Sequence, residues 1–256
     1  MICRYPEDCQ ILLNYCMRGT TFGKIIDYLP PRSITKDTTL FMTSGLAFRG
    51  YWRHPFAVGR TEKTRFYHST KRYVDMMVPD CGPQYLRYAN VRSLRSQIVE
   101  LPFYKSNVVM YVVLPRTNVR LAYVERKILW NPDVMRLKRR KVYVKLPKFT
   151  IRKQFALKRI LRDLGVKDAF NRRRANFQRM SNSTGLFMQE LHHQGYIKVD
   201  EQGTEETVAS ATAKCGVEDS MPRRGTDTLF VANRPFLFFI WERRTKTLLL
   251  SGRFQG

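Results

Sequence analysis

Short apolar runs that end in proline or glycine recur along this chain and predict more strands than helices. Strands are predicted over residues 39–49, 97–101, 108–114 and 142–149. Pro102 and Pro115 directly follow two of these runs, as expected where a strand stops abruptly. Residues 229–241 and 247–252 are predicted to form an antiparallel hairpin, because the polar segment 242–246 separates two apolar runs.

Two segments instead repeat their apolar residues at the spacing of a helix. The first covers residues 8–23, where Gly23 marks the end, and the second covers residues 154–164. Gly165 follows the second segment, at the position where a helix often ends in a left-handed residue. No repeat, low-complexity segment or linker interrupts the pattern, so a single α+β domain over residues 1–256 is predicted.

The chain is strongly basic. Its 46 lysines and arginines against 21 acidic residues give a formal net charge of +25. Such an excess favours polyanionic partners. The basic positions singled out as candidates are Arg136, Lys138, Arg139, Arg140, Lys141, Lys158, Arg159 and Arg162. A solvated surface is the simplest interpretation of these residues. A heparin-like glycosaminoglycan is the candidate ligand, and nucleic acid is disfavoured because no nucleic-acid motif is recognised.

Other site chemistry is poorly represented. The five cysteines are scattered without a Cys-x-x-Cys pair, which predicts neither a disulfide framework nor a metal site. No cofactor is predicted, and the chain is not predicted to be an enzyme, because no serine has a histidine and an acid in the pattern of a catalytic triad. The longest apolar stretches, 108–114 and 235–241, are too short to span a membrane.

Two features bear on the compartment and point in different directions. Residues 1–8 lack the charged start and the apolar stretch of a signal peptide, so they give no evidence for secretion. Asn182 begins an Asn-Ser-Thr sequence, which is a glycosylation signal when it lies on the surface of a secreted protein.

The most informative part of the chain is a long irregular segment near its C-terminus. An acidic turn leads to Gly203, small residues follow over 208–213, and an apolar run returns only after about residue 228. Irregular segments of this length inside a compact domain are uncommon, and they are usually functional or disordered. Because small residues fit into a sheet, this segment is suited to meet a protease while exposed and to become a strand afterwards.

A set of motifs in the correct order gives the chain a resemblance to the serpin family. They are Phe-Arg-Gly-Tyr-Trp at 48–52, Val-Asp-Met-Met at 74–77, Leu-Pro at 101–102, 114–115 and 146–147, and Arg-Pro-Phe-Leu-Phe at 234–238. The resemblance implies an α+β fold with large mixed or antiparallel sheets, packed helices and a long exposed reactive loop at about residues 203–228. It also implies that the chain starts inside the family fold, so that the N-terminal part of that fold is absent.

For function, the resemblance implies suicide inhibition of a serine protease. The target, trypsin-like or elastase-like, cleaves the loop and is trapped as an acyl-enzyme while the loop inserts into the main sheet as a new strand. The alternative is a non-inhibitory member that binds a protease or a polyanion without trapping. Family resemblance implies an extracellular protein, and the cytoplasm is the other compartment considered.

The same resemblance assigns the hinge of the reactive loop to Glu201, Gly203, Thr204, Glu205, Glu206 and Val208. An inserted strand faces inward at every second residue, which directs Glu206 inward where the family prefers alanine. Burying an unpaired carboxylate costs on the order of several kcal/mol. This cost is expected to slow insertion and to favour release of the protease.

The cleaved bond has two candidate positions. The family's usual spacing, counted forward from Gly203, places the cleaved bond between Val217 and Glu218, and valine suits an elastase-like pocket. Counting back from the Pro235 region places it at Arg223 or Arg224, which suits a trypsin-like pocket.

The resemblance also implies a gate in the main sheet, the place where two strands separate to admit the loop, formed by Ser44 and His193. Ser44 replaces the family's asparagine opposite His193. This replacement is expected to leave the gate short of one hydrogen bond.

Overall fold

The structure is a computed structural model and describes residues 5–68, 71–128, 136–203, 222 and 227–256. Within these residues the α-helices are α1 Pro6–Thr20, α2 Leu121–Lys127 and α3 Leu157–Asp163. The strands are β1 Leu40–Ala47, β2 Glu62–Tyr67, β3 Lys71–Met77, β4 Gln84–Val91, β5 Ser96–Pro102, β6 Val108–Pro115, β7 Lys138–Pro147, β8 Phe149–Ala156, β9 Met188–Val199, β10 Thr228–Val231, β11 Phe236–Glu242 and β12 Thr247–Phe254.

The chain divides into two compact units. Unit 1 comprises Met1–Phe48 and Thr150–Ile197, and unit 2 comprises Arg49–Phe149 and Lys198–Gly256. Unit 1 contains a sheet in the order β1-β9-β8, and unit 2 contains a larger sheet in the order β12-β11-β6-β5-β4-β7-β3-β2, with β10 beside β7. The single-domain interpretation of residues 1–256 stays a prediction.

In unit 1, β1 and β9 lie side by side and run parallel. Every residue of β1 has a partner on β9, from Leu40 opposite Met188 to Ala47 opposite Tyr196. The strand predicted over residues 39–49 is therefore confirmed as β1. A buried apolar cluster accompanies this sheet and contains Ile25, Tyr28, Leu29 and Tyr196.

The first predicted helix is confirmed as α1, although it starts and ends earlier than residues 8–23. Pro6 suits the first turn because it needs no hydrogen-bond partner for a backbone N–H, and Glu7 and Asp8 favour the positive end of the helix. Gly23 lies beyond the end, with a φ of +75°, and its N–H donates to the carbonyl of Arg18 at 2.7 Å. Gly23 thus satisfies a carbonyl of the last turn of α1 although it lies three residues beyond the helix.

The second predicted helix, 154–164, is wrong at its N-terminal end, because residues up to Ala156 belong to β8 and only Leu157–Asp163 is helical. The sheet competes for this segment: Gln154 donates from its side chain to the carbonyl of Tyr28 at 3.1 Å, which fixes it beside the apolar cluster. The predicted left-handed end is confirmed by Gly165, which has a φ of +101°.

The sheet of unit 2 contains the most deeply buried strand among the described residues of this unit. β6 is buried at seven of its eight positions, as expected for a strand with apolar neighbours on both faces. The strands predicted over 97–101 and 108–114 are confirmed as β5 and β6, and the hairpin around 242–246 is confirmed as the antiparallel pair β11 and β12.

Two predicted strands are each divided in the structure. The run 142–149 breaks at Lys148, because β7 ends at Pro147, which has no N–H to continue a ladder, and β8 starts at the next residue after Lys148. The run 229–241 breaks before Pro235 for the same reason. Its first part is β10, which pairs parallel with β7, and its second part is β11.

The prediction from the cysteines is also corrected. Cys9 and Cys81 are each disulfide-bonded, although their spacing in the sequence shows no disulfide framework. Cys16 on α1 is a free and exposed thiol.

A buried carboxylate ties three elements of unit 2 together. Glu100 on β5 is 2% exposed, and its carboxylate accepts a hydrogen bond from the hydroxyl of Tyr111 at 2.7 Å. Arg243 donates to the same carboxylate, and the guanidinium of Arg87 lies 3.6 Å from it. Burial, followed by the negative charge of Glu100, raises the pKa of Tyr111, so the hydroxyl keeps its proton and remains a donor. Glu100 on β5 therefore links β4, β6 and the turn after β11 through one buried carboxylate.

Replacing Glu100 by alanine is expected to destabilise the chain by about 3 kcal/mol, because it leaves a buried tyrosine hydroxyl and two arginines without their acceptor. Urea unfolding of the whole chain measures this loss. Glu125→Ala is the matched control, since Glu125 on α2 is half-buried and forms an ion pair with Arg253 at 3.4 Å. Its effect is expected to stay within about 0.5 kcal/mol. Equal losses for the two variants would contradict the role given to Glu100.

Candidate functional site

The predicted reactive loop lies mostly outside the described residues. This applies to Thr204, Glu205, Glu206 and Val208 of the hinge and to the candidate cleavage residues Val217, Glu218, Arg223 and Arg224. The described part of the site consists of the base of the hinge, Glu201 and Gly203 in unit 2, and of the gate, Ser44 and His193 in unit 1. The roles of all these residues stay predictions, and the geometry of the described ones follows.

The base of the hinge is a tight turn directly after β9. The carboxylate of Asp200 accepts hydrogen bonds from the backbone N–H groups of Gln202 and Gly203, both at 3.1 Å. The N–H of Asp200 in turn donates to the carbonyl of Gly203 at 2.9 Å. Asp-x-x-Gly is a sequence signal for a turn of this kind. This signal was available in the sequence, and it identifies Asp200 as a residue that the motif-based analysis missed.

Trp52 and Phe56 hold this turn through its outer carbonyl groups. The indole N–H of Trp52 donates to the carbonyl of Asp200 at 3.0 Å, and the backbone N–H of Trp52 donates to the carbonyl of Gln202 at 2.8 Å. The N–H of Phe56 donates to the carbonyl of Glu201 at 2.8 Å. Trp52 itself is buried and stacks on Phe103 with ring centroids 4.7 Å apart. The base of the hinge is thus fixed to unit 2 before the loop begins.

The side chain of Glu201 is fixed as well. Its carboxylate accepts a hydrogen bond from the hydroxyl of Thr61 at 2.7 Å and forms an ion pair with Lys148 at 3.0 Å. Burial by itself would raise the pKa of Glu201, but the hydrogen bonds from Thr61 and Lys148 outweigh it and lower the pKa below its ordinary value. Glu201 is therefore ionised and immobilised, as suits the anchor of a loop.

Gly203 is required by the close approach of a neighbouring backbone segment. Its φ is not in the left-handed region, so the turn does not depend on a conformation reserved for glycine. Instead, Gly203 forms an antiparallel bridge with Tyr51, and a Cβ atom at this position would lie 2.1 Å from the carbonyl oxygen of Gly50. Close approach of two backbones excludes any side chain here.

At the gate, the structure brings Ser44 and His193 together. The two residues are opposite each other in the β1–β9 register, and Nδ1 of His193 lies 3.2 Å from the hydroxyl of Ser44. The ring of Phe155 stacks on His193 with centroids 6.4 Å apart. Among the described residues no acidic side chain pairs with His193, so the contact joins two strands and lacks the orienting acid of a hydrolytic triad.

Tyr28 is a gate residue that the sequence analysis missed. Its hydroxyl donates to the carbonyl of His192 on β9 at 2.6 Å and lies 3.2 Å from the carbonyl oxygen of Ser44 on β1. Burial raises the pKa of Tyr28, an effect partly offset by the hydrogen bond with Ser44. Nothing in the surrounding Lys-Ile-Ile-Asp-Tyr-Leu-Pro-Pro distinguishes this tyrosine from an ordinary core aromatic, so no sequence signal could have identified it.

The basic candidates belong to both units. Arg136, Lys138, Arg139, Arg140 and Lys141 lie just before and within the start of β7 in unit 2. Lys158, Arg159 and Arg162 lie on α3 in unit 1, where Lys158 pairs with Glu190 at 3.3 Å. Asn182 is exposed in the segment before β9, and its glycosylation stays a prediction.

In the described ranges, no group of three or more histidine, cysteine, aspartate or glutamate residues is arranged to hold a metal ion. Across the same ranges, none of the helices combines the length and the apolar character needed to cross a bilayer.

Comparison with known proteins identifies the family. The family described as Serpin (serine protease inhibitor) matches residues 4–255. Human Serpin B9 is 33% identical over 99% of this chain, and human plasminogen activator inhibitor 2 is 31% identical over 98% of it. This chain spans 67% of the length of the first and 61% of the second.

Solved structures agree. Serpin48 from the insect Tenebrio molitor has a TM-score of 0.82 at 27% identity and covers 97% of this chain, which in turn covers 64% of Serpin48. Uncleaved ovalbumin has a TM-score of 0.79 at 23% identity; the match covers 98% of this chain and 63% of ovalbumin. At this identity the match shows a shared fold alone. The predicted α+β serpin-like fold is thereby confirmed, and this chain belongs to the serpin family.

Proposed function

We propose that this chain inhibits a serine protease by presenting residues 203–228 for cleavage and then inserting the freed loop between β1 and β9. The observation that carries the proposal is the direct parallel pairing of these two strands, followed at once by the fixed turn at residues 200–203. A segment that leaves such a turn can return antiparallel to β9. Because β1 is parallel to β9, the returning strand is antiparallel to both neighbours.

This exchange of partners supplies a driving force. Insertion replaces one parallel ladder by two antiparallel ladders, and antiparallel pairing is slightly more stable per residue. Insertion would also give the backbone of the inserted residues partners in the sheet, at about 1 kcal/mol net for each hydrogen bond. Family membership supports the same mechanism, and one relative is named as a plasminogen activator inhibitor.

The decisive experiment incubates the chain with trypsin and with elastase and separates the products on a denaturing gel. A band near the summed mass of protease and cleaved chain, stable in SDS, is expected from a trapped acyl-enzyme. Mass spectrometry of the released C-terminal peptide then distinguishes cleavage after Val217 from cleavage after Arg223 or Arg224. Clean cleavage by both enzymes without such a band would contradict trapping and favour the non-inhibitory alternative.

Thr204→Arg tests whether insertion is needed for trapping. Thr204 is the first inward residue of the inserted strand, and an arginine there cannot be buried cheaply. The variant is expected to lose the SDS-stable band while being cleaved at the wild-type rate. Thr117→Arg adds the same charge at an exposed position in unit 2 and is expected to keep the band. Equal trapping by both variants would exclude insertion as the step that captures the protease.

Glu206→Ala is expected to raise the fraction of protease that is trapped, because the wild-type strand must bury a carboxylate at an inward position. The cost of burial, on the order of several kcal/mol, corresponds to a slowing of insertion by tenfold or more. Glu205→Ala removes the same charge at the neighbouring outward position and is expected to behave like the wild-type chain. The ratio of trapped to cleaved chain measures the difference, and an equal gain for both variants would refute the predicted inward orientation.

A second candidate function, binding of a sulfated polysaccharide, is favoured by the pairing of β4 with β7. Arg87 lies directly opposite Arg139, and Lys141 lies opposite Tyr85. The guanidinium of Arg87 faces the carboxylate of Glu100 at 3.6 Å, whereas Arg139 and Lys141 add positive charge that would attract a polyanion. The guanidinium of Arg139 also lies 5.8 Å from the ring centroid of Tyr85, which holds the cation at the surface of the sheet.

The double variant Arg139→Ser, Lys141→Ser is expected to bind heparin more weakly by about fivefold for each cation removed, at low salt. Elution from immobilised heparin along a salt gradient measures the loss. Arg172→Ser, Arg173→Ser removes the same charge from exposed positions in unit 1 and serves as the control. Equal shifts for both double variants would indicate attraction by net charge without a site on β7.

A further inference from the structure

Tyr28 makes a polar contact with both strands of the gate. Its hydroxyl donates to the carbonyl of His192 on β9 at 2.6 Å. The same oxygen lies 3.4 Å from the backbone N–H of Ser44 on β1 and can accept from it. One side chain from the irregular segment between α1 and β1 therefore links the backbones of β1 and β9.

The position of this hydroxyl is fixed from two sides. The neighbouring residue Leu29 forms a pair of hydrogen bonds with the side-chain amide of Asn14 on α1, at 2.7 and 3.0 Å. The carbonyl of Tyr28 accepts a hydrogen bond from the side chain of Gln154 on β8 at 3.1 Å. The ring is fully buried in the apolar cluster of unit 1. Separating β1 from β9 therefore requires either breaking the hydroxyl contact or moving an anchored segment.

The link lies at the same level of the sheet as the contact between Ser44 and His193. The two contacts differ in their surroundings, because the Ser44–His193 pair is open to water while Tyr28 is not. A hydrogen bond in a dry environment is harder to exchange for one to solvent. Of the two, the Tyr28 contact should resist opening of the sheet more strongly.

From this geometry we infer that Tyr28 is a clamp that holds β1 on β9 and sets the rate at which the sheet opens. The clamp is a property of the native sheet. Its consequence for protease trapping rests on the proposed function, in which β1 and β9 must separate to admit the loop.

The test compares Tyr28→Phe with Tyr196→Phe by hydrogen–deuterium exchange. Phenylalanine keeps the buried ring in both cases, and only Tyr28 has hydroxyl contacts to the two strands. Tyr196 belongs to the same apolar cluster, so its variant is a matched control. Peptides covering β1 and the first part of β9 are expected to exchange about fivefold faster in Tyr28→Phe, which is the loss of one net hydrogen bond. Those covering α1 are expected to be unchanged.

Three results would overturn the clamp. They are unchanged exchange in β1 and β9, the same acceleration of exchange in Tyr196→Phe, and an equal acceleration of exchange in α1. The last of these would indicate general loosening of unit 1.

A second measurement uses a synthetic peptide with the sequence of residues 203–214 as a probe. If the wild-type chain takes up the peptide, Tyr28→Phe is expected to take it up about fivefold faster, and an equal rate of uptake would also overturn the clamp.

The same experiments separate this inference from the proposed function. If the wild-type chain forms no SDS-stable complex with either protease, trapping fails while the exchange data still decide the clamp. If trapping occurs and Tyr28→Phe leaves exchange and peptide uptake unchanged, only the clamp fails.

Discussion

The structure depends most on the direct pairing of β1 with β9. Parallel strands of this kind form their ladder through backbone groups alone, and the partners are far apart in sequence, so nothing local stabilises the pair. The side-chain contact between Ser44 and His193 and the hydroxyl of Tyr28 add links at one level of the sheet. The β1–β9 pair is therefore held mainly by its backbone ladder and by these few side-chain contacts, and the proposed insertion of a new strand would have to break them.

The turn at residues 200–203 is held by several hydrogen bonds within unit 2. Hydrogen bonds from Trp52 and Phe56 satisfy the carbonyl groups of residues 200–202, and Glu201 is held by Thr61 and Lys148. Movement that begins after Gly203 would leave this base undisturbed. Anchoring of this kind is what the proposed mechanism needs if the loop is to change partners without unfolding of unit 2.

The order of the motifs predicted the family. Proline marked where strands such as β5 and β6 stop, at Pro102 and Pro115. It misjudged elements where tertiary contacts decide, such as Gln154, whose side chain binds the carbonyl of Tyr28 and keeps its segment in β8. The motifs also located Ser44 and His193, because the order of family motifs can be compared along the sequence without a structure. Tyr28 was missed because its role depends on a hydroxyl meeting two strands, one of them more than 160 residues away.

The distribution of charge follows from how few acidic residues the chain has. Glu100, Asp200 and Glu201 are used inward, where they bind a tyrosine, backbone N–H groups and a threonine. The excess of 46 lysines and arginines over 21 acidic residues is set by composition, and part of it is exposed at the start of β7. β1, which would separate from β9 in the proposed mechanism, carries no charged residue from Leu40 to Ala47. The proposed polyanion binding and the proposed strand insertion therefore use different residues, and a change that removes one need not affect the other.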